Sequence, residues 1–209
     1  AISFKRQAIE LTPHANPDLP SWLTNLENSL ESLFDHSGKM DDLSEAISVQ
    51  KQAVQLSAND HPNLPLRLNN LGISLLKLFK QTTVMSDLAE AVSVLRRTVD
   101  LTAKDHPFLL SRLNNLGSSF QDLFDQTRVI SNLSDAISCK RQAVQLTPSE
   151  HPEFSARLNS LGISLQGLFD HTGDINILSE AISIKRQAVQ LTSDLHPTLS
   201  TWLNNLGIH

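Results

Sequence analysis

A single period of 45 residues runs through the chain from end to end, with no insertion or deletion. Ala-Ile-Ser or a close variant starts at Ala1, Ala46, Ala91, Ala136 and Ala181. His-Pro falls at His61, His106, His151 and His196, with Asn16-Pro17 in the first slot. Leu-Gly recurs at Leu71-Gly72, Leu116-Gly117, Leu161-Gly162 and Leu206-Gly207, and Leu26-Glu27 stands there in the first copy. Residues 136–163 match residues 181–208 at 19 of 28 positions, so the copies are homologous and not merely alike in pattern. A unit this short cannot bury its apolar face alone and must stack on its neighbours. The chain is read as one array over residues 1–209, with units 1–45, 46–90, 91–135 and 136–180 and a partial unit 181–209.

Each unit predicts two helices. Leu64, Leu68, Leu71, Leu75, Leu78 and Phe79 fall on one stripe of a 3.6-residue helix. The stripe repeats as Leu109, Leu113, Leu116, Phe120, Leu123 and Phe124, then as Phe154, Leu158, Leu161, Leu165, Leu168 and Phe169. Pro62 is expected in the first turn, where its missing N–H costs nothing. Gly72 sits in mid-stripe, where glycine costs about 1 kcal/mol against alanine, so its recurrence predicts close approach of a second helix. That second helix is expected to begin near Asp41, Ser86, Ser131 and Asn176, all N-cap types. It carries Leu43, Ala46, Ile47, Val49, Ala53, Val54 and Leu56, a broad apolar face able to pack on both sides. A short polar connection such as Lys80–Met85 joins the two. The expected fold is all-α: a right-handed α-solenoid of antiparallel helix pairs, about ten helices in all.

Composition removes several classes. Lys plus Arg is 17 and Asp plus Glu is 22, a net charge of −5, without the basic excess of a nucleic-acid binder. Tyrosine is absent, which leaves few base-stacking platforms. One cysteine, Cys139, excludes an internal disulfide framework and a multi-cysteine zinc site. No apolar run approaches the roughly 18 residues of a membrane span, and the start does not read as a signal peptide. The chain opens on Ala1, which reads as a fragment or a processed form. A cytoplasmic location is the expectation.

Leu68-Asn69-Asn70-Leu71-Gly72, then Leu75, with small Ala46- and Ala53-type residues on the partner helix, resembles the tetratricopeptide repeat. Asp105-His106-Pro107 with Asn-Asn-Leu-Gly is similar to the longer variants of kinesin light chains. The Arg-Gln-Ala-Val-Gln-Leu-Thr text resembles arrays of large fungal proteins that accompany NACHT or CHAT domains. The resemblance covers the whole chain and implies a superhelix whose first helices line a concave groove. The unit exceeds the family's usual length, and the family's closing proline appears only loosely, as Pro13 and Pro148.

The residues that could carry chemistry mostly read as structure. One His per unit cannot converge on a metal, because successive units are separated by roughly 8–10 Å while zinc ligands lie about 2 Å from one point. The His-Pro histidines are therefore expected at helix starts, and no metal or cofactor is expected. His36 and His171 alternate with Gln81 and Gln126 at a polar connection. Cys139 shares its column with Phe4, Val49, Val94 and Ile184 and is expected to be buried. Glu45, Glu90, Asp135 and Glu180 are expected to meet the positive end of the second helix. Arg6 with Glu10 and Arg96 with Asp100 have i, i+4 spacing within that helix.

The column Asn69, Asn114, Asn159 and Asn204, with Thr24 in the first copy, falls on the face that the resemblance assigns to the groove. An amide can both donate to and accept from an extended peptide backbone. Neighbouring groove positions are Leu66, Ser111, Ala156 and Thr201, then Ile73, Ser118, Ile163 and Ile208, then Leu76, Gln121 and Gln166. This set is neutral, so an acidic C-terminal peptide is not favoured. A parallel column, Asn70, Asn115 and Asn205 with Ser160, could instead bond between helices.

These readings predict a non-enzymatic scaffold that binds a peptide or protein segment in the groove. The alternative is a sensor or oligomerisation region of a larger NACHT- or CHAT-type signalling protein. An enzyme ranks third, since no paired carboxylates, Ser-His-Asp set, P-loop or glycine fingerprint occurs. The chain starts in a second-type helix and ends in a first-type one, with no polar caps. Ile2, Ala8 and Ile9 at one end, and Leu199, Leu203 and Leu206 at the other, are expected to be exposed and to allow head-to-tail self-association.

Overall fold

A computed structural model describes residues 2–13, 15–192 and 199–207, and only the backbone of 204, 205 and 207. Among the described residues there are ten helices and no strand. First-type helices are α2 (Leu19–Ser37), α4 (Leu64–Thr82), α6 (Leu109–Thr127), α8 (Phe154–Thr172) and α10 (Leu199–Gly207). Second-type helices are α1 (Ile2–Glu10), α3 (Met40–Gln55), α5 (Met85–Asp100), α7 (Ile130–Leu146) and α9 (Ile175–Gln190). The chain forms two compact units, Ala1–His106 with α1 to α5 and Pro107–His209 with α6 to α10. No described helix is long and apolar enough to cross a membrane.

The first-type helices begin two residues later than the proline spacing predicts. Pro62 lies in a turn ahead of α4, and Pro65 takes the first-turn position, as Pro20 does in α2. The His-Pro turn has its own side-chain lock. Nδ1 of His61 accepts from the Asn63 N–H at 3.0 Å, and Nδ1 of His151 accepts from the Glu153 N–H at 3.1 Å. In the first copy Oδ1 of Asn16 accepts from the Asp18 N–H at 2.9 Å, the same turn made by an amide. The histidine therefore acts as a backbone acceptor, which explains why asparagine replaces it.

Each long first-type helix ends on a left-handed residue: Gly38 at φ 67°, Thr83 at 57°, Arg128 at 56° and Gly173 at 69°. Their N–H groups close onto the carbonyls of Phe34, Phe79, Phe124 and Phe169, each at 2.7 Å. The helix-to-helix connection is then only two residues, tighter than Lys80–Met85. The hydroxyls of Ser37, Thr82, Thr127 and Thr172 accept from the N–H two residues on, at 3.2, 3.3, 3.3 and 3.4 Å. Asp41, Ser86, Ser131 and Asn176 accordingly lie inside the first turn and are not the caps. The N-caps are Lys39, Val84, Val129 and Asp174, and of these Asp174 accepts a side-chain bond, from the Asn176 N–H at 2.9 Å. The repeat itself shows that glycine suits the left-handed position. Thr83→Gly is expected to raise stability by ~0.5–1 kcal/mol in urea unfolding. Arg128→Gly gains less, because Arg128 lies over the Phe124 ring at 5.6 Å.

The stripes pack as pairs. In the first unit Leu19 and Leu23 pack with Ala53, and Leu26 and Leu30 with Ala46. In the second, Phe124, Leu133, Ile137, Leu161, Leu165 and Ala181 form one cluster, and Leu158, Ala188 and Trp202 another. The glycine column marks the closest approach. A Cβ on Gly72 would lie 2.5 Å from Leu95 Cγ, one on Gly162 2.6 Å from Lys185 Cγ, and one on Gly117 3.2 Å from Cys139 Cβ. Cys139 is buried, as its column predicts.

The charge columns pair differently from the expectation. Arg6 forks onto Glu45, with Nε–Oε1 at 2.7 Å and Nη2–Oε2 at 2.6 Å, and not onto Glu10. Lys51 meets Glu90 at 2.8 Å and Arg141 meets Glu180 at 2.7 Å. Within each unit the basic column of one second-type helix thus reaches the acidic column of the next. These exposed pairs contribute ~0.2–1 kcal/mol each.

Candidate functional site

In the second unit, consecutive first-type helices α6 and α8 leave open clefts between them. One, of about 410 Å³, is lined by Ser111, Asn114 and Asn115 from α6 and by Glu153, Ala156, Arg157 and Ser160 at the start of α8. Another, of about 550 Å³, brings together Gln121, Asn159 and Ile163 with Ser164, Lys140, Asp125, Arg128, Asp170 and His171. The His171 ring meets Phe124 edge-on at 4.9 Å in its wall.

Lys140 comes from the second-type helix α7. It passes Gly117, where a Cβ would lie 3.7 Å from Lys140 Cγ, an ordinary contact distance. Its ammonium donates to Ser164 Oγ at 2.5 Å. Burial lowers its pKa, and Asp125 opposes that shift. The same reach recurs in the first unit, where Lys5 donates to Ser29 at 2.6 Å and Gln50 to Ser74 at 2.8 Å. Lys185, 2% exposed, donates to Gln166 past Gly162. A groove read from first helices alone omits these cations. The wall is therefore not free of Lys and Arg, as the sequence suggested. The sequence signal is a lysine 23 residues after the repeat glycine: Gly117 to Lys140 and Gly162 to Lys185.

In the first unit the equivalent cleft between α2 and α4 measures about 170 Å³ and is lined by Ser21, Thr24, Asn25, Asn63, Leu66 and Arg67. Five of these positions repeat in the second unit as Ser111, Asn114, Asn115, Glu153 and Ala156, and Arg67 repeats as Arg157. Asn69 and Ile73 are half-buried on α4, and Leu76 is buried. Asn114 and Ser118 are exposed, Asn159 is buried, Ile163 is 48% exposed, and Gln121 and Gln166 are half-buried. Gln121 donates to Asp125 at 3.3 Å and accepts from Ser164 at 3.2 Å. The column is thus unequal in accessibility, with Asn114 the most open of its described side chains. The side chain of Asn204, and Ile208 and His196, lie outside the described residues.

A buried polar cluster sits beside the first-unit cleft. Glu27 and Gln50 are each 2% exposed, and Ser74 is fully buried. Gln50 Nε2 donates to Glu27 at 2.9 Å and Asn70 Nδ2 to Glu27 at 3.3 Å. Ser74 also bonds Glu31, which lies 3.9 Å from Lys77. Burial pushes the Glu27 carboxyl up; the Gln50 bond opposes this, and the Glu31 charge adds to it. Gln50 Oε1 is buried with no partner. Among the described residues no group of three or more His, Cys, Asp or Glu could hold a metal ion. The site offers amides, hydroxyls and single charges.

No family model matches the sequence, and no curated protein does. Solved structures do. A protein from Podosopora anserina described as a kinesin light chain with nearly identical TPR-like repeats superposes at a TM-score of 0.64, with 19% identity over 90% of this chain and 84% of that one. BtubC (BKLC) from P. vanneervenii gives 0.62, with 17% identity over 99% of this chain and 80% of that one. MamA gives 0.61, with 15% identity over 91% and 85%. The fold is that of the TPR-like helical-repeat proteins. Within it, this chain is a variant with a 45-residue unit.

Proposed function

We propose that the chain is a non-enzymatic interaction scaffold and that a peptide or protein segment lies along its first-type helices. The observation that carries this reading is the recurrence of one cleft in two copies, at Ser21, Thr24, Asn25 and Leu66 and again at Ser111, Asn114, Asn115 and Ala156. Amides and hydroxyls at fixed intervals suit a backbone that presents N–H and C=O at fixed intervals. Asn69, Asn114, Asn159 and Asn204 form the contact column, flanked by Ile73, Ser118 and Ile163 and by Leu76, Gln121 and Gln166. Replacing Asn69, Asn114 and Asn159 together by alanine is expected to abolish partner capture from extract while leaving the helical circular dichroism unchanged. Undiminished capture would overturn the groove assignment.

A second reading, end-to-end association of copies of this chain, is favoured by α1. Of the residues expected to be exposed at this end, Ala8 is exposed, but Ile2 and Ile9 are half-buried against the first-unit core; Phe4, whose column mate Cys139 is core, is 75% exposed. Leu203 on α10 is 49% exposed. Light scattering should show mass rising with concentration, and Phe4→Ser should suppress the rise. A constant monomer mass at millimolar protein removes this reading.

A further inference from the structure

Arg67 on α4 is 4% exposed, yet among the described residues no carboxylate lies within ion-pair distance of it. Its Nη1 donates to Ser57 Oγ at 2.5 Å and its Nη2 to Ser21 Oγ at 3.3 Å, both neutral hydroxyls. Burial lowers its pKa, and no acidic group opposes the shift. A guanidinium carries five N–H donors, and a buried charge is costly unless paired. Arg67 also lines the first-unit cleft beside Asn25 and Asn63.

The second unit shows what the same position accepts. Arg157 lines the equivalent cleft and is paired with Glu153, Nη2 to Oε2 at 2.5 Å. The register mate of Glu153 is Asn63, which carries no charge. Glu153 thus supplies Arg157 with a carboxylate and Arg67 has none; Arg112, the third arginine of this column, is also buried, at 5% exposed.

We propose that the first-unit cleft is an anion site in which Arg67 receives a side-chain carboxylate of the bound peptide, in the place that Glu153 fills in the second unit. This rests on the groove reading above and names its anchoring chemistry as an Asp or Glu side chain. The opening of about 170 Å³ suits one such group. A fork of two parallel N–H···O bonds is the geometry guanidinium offers a carboxylate. Phosphate shares that chemistry, and the test separates the two.

The full chain is titrated with N-acetyl-triglutamate amide, with N-acetyl-triglutamine amide and with inorganic phosphate, following the Arg67 Nε–Hε signal by NMR. The triglutamate should shift that signal saturably and the triglutamine should not. Asn63→Glu should move the signal without ligand and weaken triglutamate binding by about tenfold or more. It alters only an exposed helix-start residue, so it remains informative even if Arg67→Gln fails to fold. An unmoved Arg67 signal, a response to phosphate alone, or unchanged affinity in Asn63→Glu overturns the carboxylate site. The two readings fail separately. Loss of the Arg67 response leaves capture by the asparagine column untouched, and retained capture in the triple asparagine variant leaves the Arg67 response untouched.

Discussion

Gly72→Ala is expected to destabilise the first unit by ~1–3 kcal/mol in urea unfolding, although alanine is the better helix former. The new methyl would sit 2.5 Å from Leu95 Cγ and 2.6 Å from Leu95 Cδ2, inside contact distance, so the α4–α5 pair must part or Leu95 must leave its rotamer. The helix preference for alanine returns only about 1 kcal/mol of that cost. The chain contains its own control. At Gly117 the nearest atom is Cys139 Cβ at 3.2 Å, so Gly117→Ala should stay within about 1 kcal/mol of the parent. Leu95→Ala alone opens a cavity and costs ~2–5 kcal/mol. Added to Gly72→Ala it relieves the overlap, so the double variant should be more stable than the two single changes sum to, by ~0.5–3 kcal/mol. Equal losses at Gly72 and Gly117 would show that helix approach is not what holds the glycine.

Glu27→Gln should stabilise the protein at neutral pH by ~1–3 kcal/mol, the desolvation penalty of a buried polar group. The new amide removes a charge that burial disfavours and keeps an oxygen to accept from Gln50 Nε2 and Asn70 Nδ2. The pH dependence follows from the raised Glu27 pKa. Between the unfolded value, near 4.3, and the higher folded one, the folded chain holds more protons than the unfolded chain. Stability therefore rises as pH falls through that window and declines as pH rises. Thermal melts taken downward from neutral pH toward the unfolded-state value should show this gain in the parent and a flatter curve in Glu27→Gln. Glu31, Lys77 and Asp35 face the same cluster and are common to both proteins, so the difference isolates Glu27. Parallel curves would remove the assignment.

The helix pairs were legible because Leu71, Leu75 and Phe79 repeat with helical spacing and Gly72 interrupts them where a partner must come close. The boundaries were not. Pro62 and Pro65 both suit a first turn, and only the His61 lock on the Asn63 N–H shows which one lies inside. Arg6 and Glu10 are four residues apart, and spacing on one helix cannot reveal that Glu45, 39 residues away, is nearer. The cation in the second-unit cleft was missed for the same reason. Lys140 sits on the second-type helix, and only the packing of helix pairs brings it into the cleft between α6 and α8. Sequence reads columns along one helix well and pairings between helices poorly.

The polar residues that reach past the glycine column also act as address labels. The apolar stripes and small-residue gaps are nearly interchangeable, so by themselves they would let a helix dock on any partner of the right type. Gln50 aims its amide donor at Glu27 and Ser74, and Lys140 its ammonium at Ser164, while Leu95 at the same register brings no polar end at all. A helix pair assembled out of order would strand one of these groups in an apolar gap, at ~1–3 kcal/mol for each unmet partner. Divergence at this column, with Gln50 and Leu95 set against Lys5, Lys140 and Lys185, thus marks α3 and α5 apart from the other second-type helices, and a chain whose copies were made fully uniform there would lose that mark.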